Sequence, residues 1–133
     1  MSRCPVLLTL TVTGRVDLVP ADPLDARVAA AFDAHQRRMT AAGRLLGPDA
    51  VPAAVGELRA TGAEVLVRPS PWRLHAGHAD LTAEWFDGWV AAACEQEPAL
   101  AAEAGAYRDR RLAQVAAGEL AVVVDHADLL VLP

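Results

Sequence analysis

The stretch "VLLTLTVTGRVDLVPADP", Val6 to Pro23, decides how the rest of the chain can be arranged. Its first half alternates valine or leucine with threonine at a period of two, which is typical of a half-buried β-strand. Thr13 and Gly14 interrupt the alternation, and a second extended piece continues to the prolines. The sequence therefore predicts either a strand followed by an extended loop or a β-hairpin.

Two helices are predicted after this strand. The first begins with Asp25 as its cap and fades near Gly43. The second begins at Asp49, tolerates Pro52 in its first turn and stops at Gly62. The inward positions of the first helix recur at spacings of four, three and four residues: Val28, Phe32, His35 and Met39.

The second half of the chain continues this alternation of elements. "AEVLVRPSP" predicts a strand ended by prolines, and helices are predicted from Asp80 to Pro98 and from about Ala99 to Ala117. "LAVVVDHADLLVLP" predicts a final strand, or two short pieces broken near His126. The order strand, helix, helix, strand, helix, helix, strand indicates one α/β layered domain over all 133 residues.

Charge and composition narrow the classes of partner. The formal net charge is -5, and no basic cluster is longer than two arginines, which argues against a nucleic-acid or acidic membrane surface. The apolar run from Val6 to Val12 is too short for a membrane span and lacks a cleavage-like small-residue site. We expect a soluble cytoplasmic protein whose partners are small molecules or proteins. Cys4 and Cys94 have no metal-like spacing and are expected to be two reduced thiols.

The sequence lacks the common motifs of nucleotide-binding and covalent enzymes. No two glycines are separated by a single residue, so a Gly-x-Gly phosphate loop is missing, and neither Ser2 nor Ser70 lies in a Gly-x-Ser-x-Gly turn. His75 and His78, with Asp80, have the spacing of a local metal site, which His126, Asp125 and Asp128 could complete. A solvated loop is the simpler interpretation, and we predict no metal.

Four residues are the candidates for ligand contact: His35, Arg37, Trp72 and Arg73. Trp72 and Arg73 follow the strand "AEVLVRPSP", and loops at the carboxyl ends of parallel strands are where open α/β sheets bind ligands. The alternative is that Trp72 caps the edge of the core, with Arg73 covering its ring. His35 is the one candidate for an acid or base, or else a structural histidine on its helix face. Arg37 either binds an anion or faces water.

Several segments taken in order resemble a known family. They are "GRVDLVPADPLDARVAAAFDAHQRR", "LGPDAVPAAVGELRATGAEVLVRPSPWRL", "LTAEWFDGWVAAACEQEP" and "HADLLVLP". In this order they resemble the C-terminal half of actinobacterial class I S-adenosylmethionine-dependent methyltransferases that act on small molecules. The resemblance runs from about Val6 to Pro133 and depends most on "HQRR" and "SPWRL", which contain the four candidate residues.

The resemblance implies a partial Rossmann-like methyltransferase sheet in three layers with about four helices. The first strand would correspond to the fifth strand of that sheet, "AEVLVR" to the sixth and the final strand to the antiparallel seventh, which lies between the other two. The glycine-rich loop and acidic residue that hold the cofactor belong to a half that this sequence does not match. S-adenosylmethionine is therefore the cofactor by resemblance only, and we expect no binding by this chain alone.

Three functions remain open from the sequence. The first is the substrate-side half of a methyltransferase, inactive unless a separate N-terminal half supplies the cofactor loop. The second is a noncatalytic homodimer that acts as a small-molecule-binding or regulatory module. The third is a truncated gene product without a selected function. In the first two, "LLTLTV" would offer an exposed apolar strand edge that pairs with a partner.

Overall fold

The computed structural model describes residues 4–133, except for the side chain of Leu10, and Ser2 lies outside the described residues. The predicted order of seven elements is confirmed, with three short strands in addition. The elements of the described chain are β1 (Val6–Val19), α1 (Asp25–Gln36), β2 (Met39–Thr40), β3 (Gly43–Arg44), α2 (Ala50–Ala60), β4 (Glu64–Pro69), β5 (Trp72–Leu74), α3 (Ala79–Gln96), α4 (Ala101–Ala116) and β6 (Ala121–Leu132).

The final strand, β6, lies at the centre of the main sheet. It pairs with β1 on one side and with β4 and β5 on the other, and every pairing is antiparallel. Since β1 and β4 both run opposite to β6, they are parallel to each other. The predicted position of the last strand, between the first strand and "AEVLVR", is therefore confirmed. β2 and β3 form a separate small hairpin.

Helices cover both faces of this sheet. Because side chains alternate along a strand, Val122 and Val124 of β6 face one side and Leu129 and Val131 face the other. The first pair belongs to the large core with α1, α3 and α4, whose fully buried members include Phe86, Val90 and Tyr107. The second pair packs against β4 and α2, so the domain is a three-layer α/β structure.

The interruption at Gly14 is a bulge in a continuous strand. Val12 pairs with His126 and Val16 with Val124, so four residues of β1 advance while β6 advances two. The prediction that a loop or hairpin begins here is wrong, because β6 is long enough to pair with β1 on both sides of the bulge. The alternative that the final strand breaks near His126 is wrong for the same reason.

Helix α1 ends earlier than the sequence predicts. It stops at Gln36, and Met39, which is predicted to face inward, is 73% exposed in β2. The hydroxyl of Thr40 accepts a hydrogen bond from the N–H of Ala42 and donates one to the carbonyl of Gly43. These local bonds stabilise a turn that competes with continuation of the helix.

A buried ion pair connects α4 to the start of α1. Arg111 is fully buried and donates to the carboxylate of Asp25 at 2.7 Å and to the carbonyl of Pro20 at 2.7 Å. The hydroxyl of Tyr107 donates to the same carboxylate at 2.6 Å. Burial and the neighbouring Asp25 raise the pKa of Tyr107, so its hydroxyl stays protonated as the donor.

Among residues 4–133, no helix combines the length and the apolar character that a membrane span requires.

Candidate functional site

A cavity of about 240 Å³ lies on the face of the sheet that α1 and α3 cover. All three tryptophans of the chain line it, and we call it the tryptophan pocket. β1 contributes the residues around its bulge, and β6 contributes the residues opposite them. The lining residues are Val12, Gly14, Arg15, Val16, Phe32, Asp33, Trp72, Trp85, Trp89, Val124, Asp125 and His126.

The aromatic rings of the pocket form two stacked pairs. Trp85 and Trp89, one turn apart on α3, have ring centroids 5.3 Å apart and planes inclined by 21°. Trp72 stacks on His126 with centroids 4.8 Å apart and planes inclined by 27°. Trp89 is 2% exposed and Trp72 is 37% exposed. Trp89 therefore belongs to the inner wall of the pocket and Trp72 to its rim.

The pairing of β5 with β6 explains why Trp72 reaches the pocket and Arg73 does not. Trp72 lies opposite Val124, which faces the large core, whereas Arg73 lies opposite Val123 on the other face of the sheet. Arg73 is exposed and does not line the tryptophan pocket.

His126 is a buried polar side chain in this site, with 6% exposure. Its Nδ1 lies 3.0 Å from the carbonyl oxygen of Val124. Because a carbonyl oxygen can only accept, Nδ1 carries the proton of this hydrogen bond. In the neutral ring Nε2 is then an acceptor, and no described residue donates to it. His126 thus offers a hydrogen-bonding atom beside the Trp72 ring.

The carboxylate of Asp33 is the charged group of α1 that lines the pocket. No hydrogen bond from another described residue reaches it, and the charges that act on it are those of Arg37 and Asp49. Burial raises the pKa of Asp33, Arg37 opposes this effect and Asp49 adds to it. A partly buried carboxylate without a hydrogen-bond donor is costly to a folded protein, and such groups are often found in binding sites.

Trp89 contributes its ring to the pocket rather than its N–H group. The Nε1 atom is buried and has no hydrogen-bond acceptor among the described residues. A fully buried atom is not accessible from the cavity. The wall that Trp89 presents to a ligand is therefore apolar.

The backbone at Gly14 lies directly against Asp33. Gly14 has a φ of +93°, and a Cβ atom there would lie 2.9 Å from Cβ of Pro48 and 3.1 Å from Oδ2 of Asp33. A side chain at this position would be strained by the left-handed backbone and would also collide with Pro48 and Asp33. Glycine is therefore required for the bulge that forms this edge of the pocket.

We expect Gly14→Ala to lower the free energy of unfolding by about 2 kcal/mol, because the left-handed conformation alone costs about 1–2 kcal/mol. The matched control is Gly56→Ala, in the exposed middle of α2, where an added Cβ has open space. This control is expected to stabilise the protein by about 0.5–1 kcal/mol. Urea denaturation of both variants makes the comparison, and equal stabilities would contradict the role given to Gly14.

The other predicted residues have partners away from the pocket. His35 is mostly buried, with Nε2 3.0 Å from the carboxylate of Glu95 on α3 and Nδ1 in contact with Arg38. Arg37 donates to both oxygens of Asp49, at 2.7 and 2.8 Å. The Asp49 side chain consequently forms no cap on α2, although the sequence predicts one. Of the four candidates, Trp72 alone lines the tryptophan pocket.

Among the other lining residues, Phe32, Asp33, Trp85 and Trp89 were not singled out from the sequence, and His126 was considered only as a possible metal ligand. Helical spacing assigned the aromatic ones to the core, and periodicity does not distinguish a side chain that fills the core from one that lines a cavity in it. The available signal was composition. The chain has six Phe, Tyr and Trp residues, and half of these are tryptophans.

The histidine pair His75 and His78 forms no metal site in the structure. The two rings are in edge-on contact, with centroids 4.1 Å apart, and Nδ1 of His75 accepts the N–H of Gly77. Across residues 4–133, no group of three or more His, Cys, Asp and Glu side chains is arranged to hold a metal ion.

A comparison with protein families, curated proteins and solved structures finds no match to this chain.

Proposed function

We propose that this chain is the substrate-side half of a class I S-adenosylmethionine-dependent methyltransferase fold. In this proposal it binds a small molecule and is inactive until another polypeptide supplies the cofactor loop. The observation that carries the proposal is the order β1, β6, β4, in which an antiparallel final strand separates two parallel strands. The resemblance implies this order for the fifth, seventh and sixth strands of the methyltransferase sheet.

The location of the tryptophan pocket supports the same proposal. β4 ends at Pro69, which lies opposite Ala127 of β6, and His126 and Val124 line the pocket just beyond that point. The pocket also lies beside the middle of β1, at Val12 to Val16. It is therefore just beyond the carboxyl end of β4, on the side of the sheet where α/β folds usually bind their ligands.

The free edge of β1 is the surface on which the cofactor half would pair. Among the described residues β1 pairs with β6 alone, and its outer edge carries no strand. Near this edge Val6, Leu7 and Leu8 are 48%, 63% and 39% exposed. Apolar, uncharged strand edges tend to pair with another strand. A stable partner would be expected to bury more than about 1,000 Å² in total.

The second candidate is a noncatalytic homodimer that binds a small molecule. It is favoured by the fact that twelve residues of this one chain already line the tryptophan pocket. Ligand binding would then need no partner, and a second copy would cover the β1 edge.

Calorimetric titration of the purified chain with S-adenosylmethionine tests the proposal, with the mass in solution measured on the same sample. We expect no S-adenosylmethionine binding, because the chain has no glycine-rich loop to hold the cofactor. Binding in the micromolar range would contradict both candidates. A stable dimer that binds no cofactor would favour the second candidate over the first.

A variant of the β1 edge shows whether any dimer uses this surface. Leu7→Arg places a charge on the exposed edge, and we expect it to weaken self-association at least about tenfold, which is about 1.4 kcal/mol. The control is Leu81→Arg, at an exposed position of α3 away from the edge. A dimer that resists Leu7→Arg pairs through another surface.

A further inference from the structure

We propose that the tryptophan pocket binds a small organic cation, an ammonium group on a flat apolar body, with the ammonium group beside Asp33 and the body among the tryptophan rings. This inference names the ligand class for the site of the proposed function and rests on that proposal for the pocket's role as a substrate site. The binding itself requires only the described chain.

The size and walls of the pocket limit the ligand to a small, mostly apolar molecule. Its volume of about 240 Å³ is below the range of about 300–1,000 Å³ that is usual for drug-sized ligands. A molecule with a single ring fits this description. The stacked indole rings and Phe32 can make aromatic contacts with such a ring, and Val12 and Val16 can make apolar contacts with it.

The charges around the pocket favour a cation over an anion. Arg15 is the arginine in the lining, and its Nε atom is paired with Asp17 at 2.9 Å. Arg37, which is close enough to act on Asp33, is held by both oxygens of Asp49. The carboxylate of Asp33 has no such partner. A positively charged ligand would therefore complete an ion pair that the folded chain leaves open.

The tryptophan rings add to this preference. The face of an indole ring carries partial negative charge and attracts a cation within about 6 Å of its centre. Trp72, Trp85 and Trp89 all line the cavity that Asp33 lines. Aromatic faces are the usual walls of sites for organic ammonium groups, and here the carboxylate of Asp33 lines the same cavity.

Titration of the chain with three compounds of the same size tests the proposal. The probes are 2-phenylethylamine, a cation at pH 7.5, the neutral 2-phenylethanol and the anionic phenylacetate. Because all three tryptophans line the pocket, intrinsic fluorescence reports binding directly, and calorimetry confirms the stoichiometry. We expect the amine to bind at least tenfold more tightly than the other two. Equal affinities, or no binding of the amine, would overturn the proposal.

Asp33→Asn separates a charge contact from a structural effect. We expect this variant to lose the preference for the amine while its affinity for 2-phenylethanol stays within twofold of wild type. Asp33→Glu keeps the carboxylate and should keep the preference. The matched control is Asp87→Asn. In the wild type the carboxylate of Asp87, on α3, pairs with Arg108 on α4 outside the pocket, so this variant should not change any of the three affinities. A preference that survives in Asp33→Asn would overturn the role of Asp33.

The affinity for 2-phenylethylamine should depend on pH in a defined direction. The ammonium ion binds the ionised carboxylate, so amine affinity is highest between the raised pKa of Asp33 and the pKa of the amine itself. As the pH decreases through the pKa of Asp33, the affinity should fall to that of Asp33→Asn. The other charged groups near Asp33 are Arg37 and Asp49, and Arg15, Asp125 and His126 share the pocket lining. We therefore compare each curve with that of Asp33→Asn, in which the fall attributable to Asp33 should be missing. Identical curves would contradict the assignment.

Amine binding and S-adenosylmethionine binding test the cation site and the half-methyltransferase proposal separately. Amine binding together with S-adenosylmethionine binding by the isolated chain would reject the half-methyltransferase proposal and leave the cation site intact. The lack of both would reject the cation site and leave the half-methyltransferase proposal standing.

Discussion

Replacing Arg111 with methionine is expected to lower the free energy of unfolding by about 3–5 kcal/mol, the usual effect of removing one partner of a buried ion pair. Arg111 is 0% exposed, and methionine fills much of the same volume without a charge. The carboxylate of Asp25, whose side chain is 18% exposed, would lose its cationic partner. The backbone carbonyl of Pro20 would lose a donor as well.

The location of this ion pair makes the effect larger than the loss of two hydrogen bonds. Asp25 is the first residue of α1 and accepts the N–H of Asp22 at 2.8 Å, so the same carboxylate holds the connection from β1 into the helix. Tyr107 donates its hydroxyl to that carboxylate. An unpaired Asp25 would consequently weaken the contact between α1 and α4.

The neighbouring residue provides a matched control for this experiment. Arg110 pairs with Asp22 at 3.0 Å; the Asp22 side chain is 13% exposed, but that of Arg110 is 54% exposed, and ion pairs open to solvent contribute about 0–1 kcal/mol. Urea denaturation of Arg111→Met and Arg110→Met should therefore give clearly different midpoints. If the loss in Arg111→Met is no larger than that in Arg110→Met, the buried pair does not have the role described.

The buried pair also illustrates what a sequence can predict in this fold. Helical periodicity and stop signals located α3 and α4 to within a few residues, because propensity and amphipathic spacing are local properties. The strand order, which the resemblance implied, is confirmed as well. Arg111, by contrast, looks like any arginine of an exposed helix face. Its burial depends on Asp25, which lies 86 residues earlier.

The continuity of β1 was not predictable from its own residues. Gly14 and Thr13 have the composition of a turn, and only pairing with the full length of β6 keeps the strand extended through the bulge. The same bulge brings Gly14 against Asp33 and forms one edge of the tryptophan pocket. The candidate site was therefore predicted only at Trp72. His35 and Arg37 pair with Glu95 and Asp49, contacts that a one-dimensional pattern does not contain.

The second large effect is expected at the inner wall of the tryptophan pocket. Trp89→Ala should lower the free energy of unfolding by about 3–5 kcal/mol, because removing a buried large aromatic side chain costs its transfer free energy and leaves a cavity. Trp89 is 2% exposed and its ring contacts those of Trp85 and Phe86, with centroids 5.3 and 6.1 Å away. The expected outcome is a protein that folds weakly or not at all.

Trp72→Ala, by contrast, is expected to change stability little and ligand affinity strongly. Trp72 is 37% exposed and has a stacking contact with His126, so its removal should cost only about 1 kcal/mol of stability. Its affinity for 2-phenylethylamine, however, should fall at least tenfold, because the ring forms the rim of the pocket. Trp72→Phe keeps an aromatic face over His126 and should recover part of that affinity.

Denaturation and fluorescence titration of the same samples decide between the two roles that the sequence left open for Trp72. A stable Trp72→Ala protein with weakened amine binding identifies the residue as a wall of the binding site. Unchanged amine affinity in a stable Trp72→Ala protein would assign the ring to the sheet edge alone, because a rim residue cannot be removed without exposing a bound ligand to water. A stability loss as large as that of Trp89→Ala would show that Trp72 belongs to the core, despite its exposure.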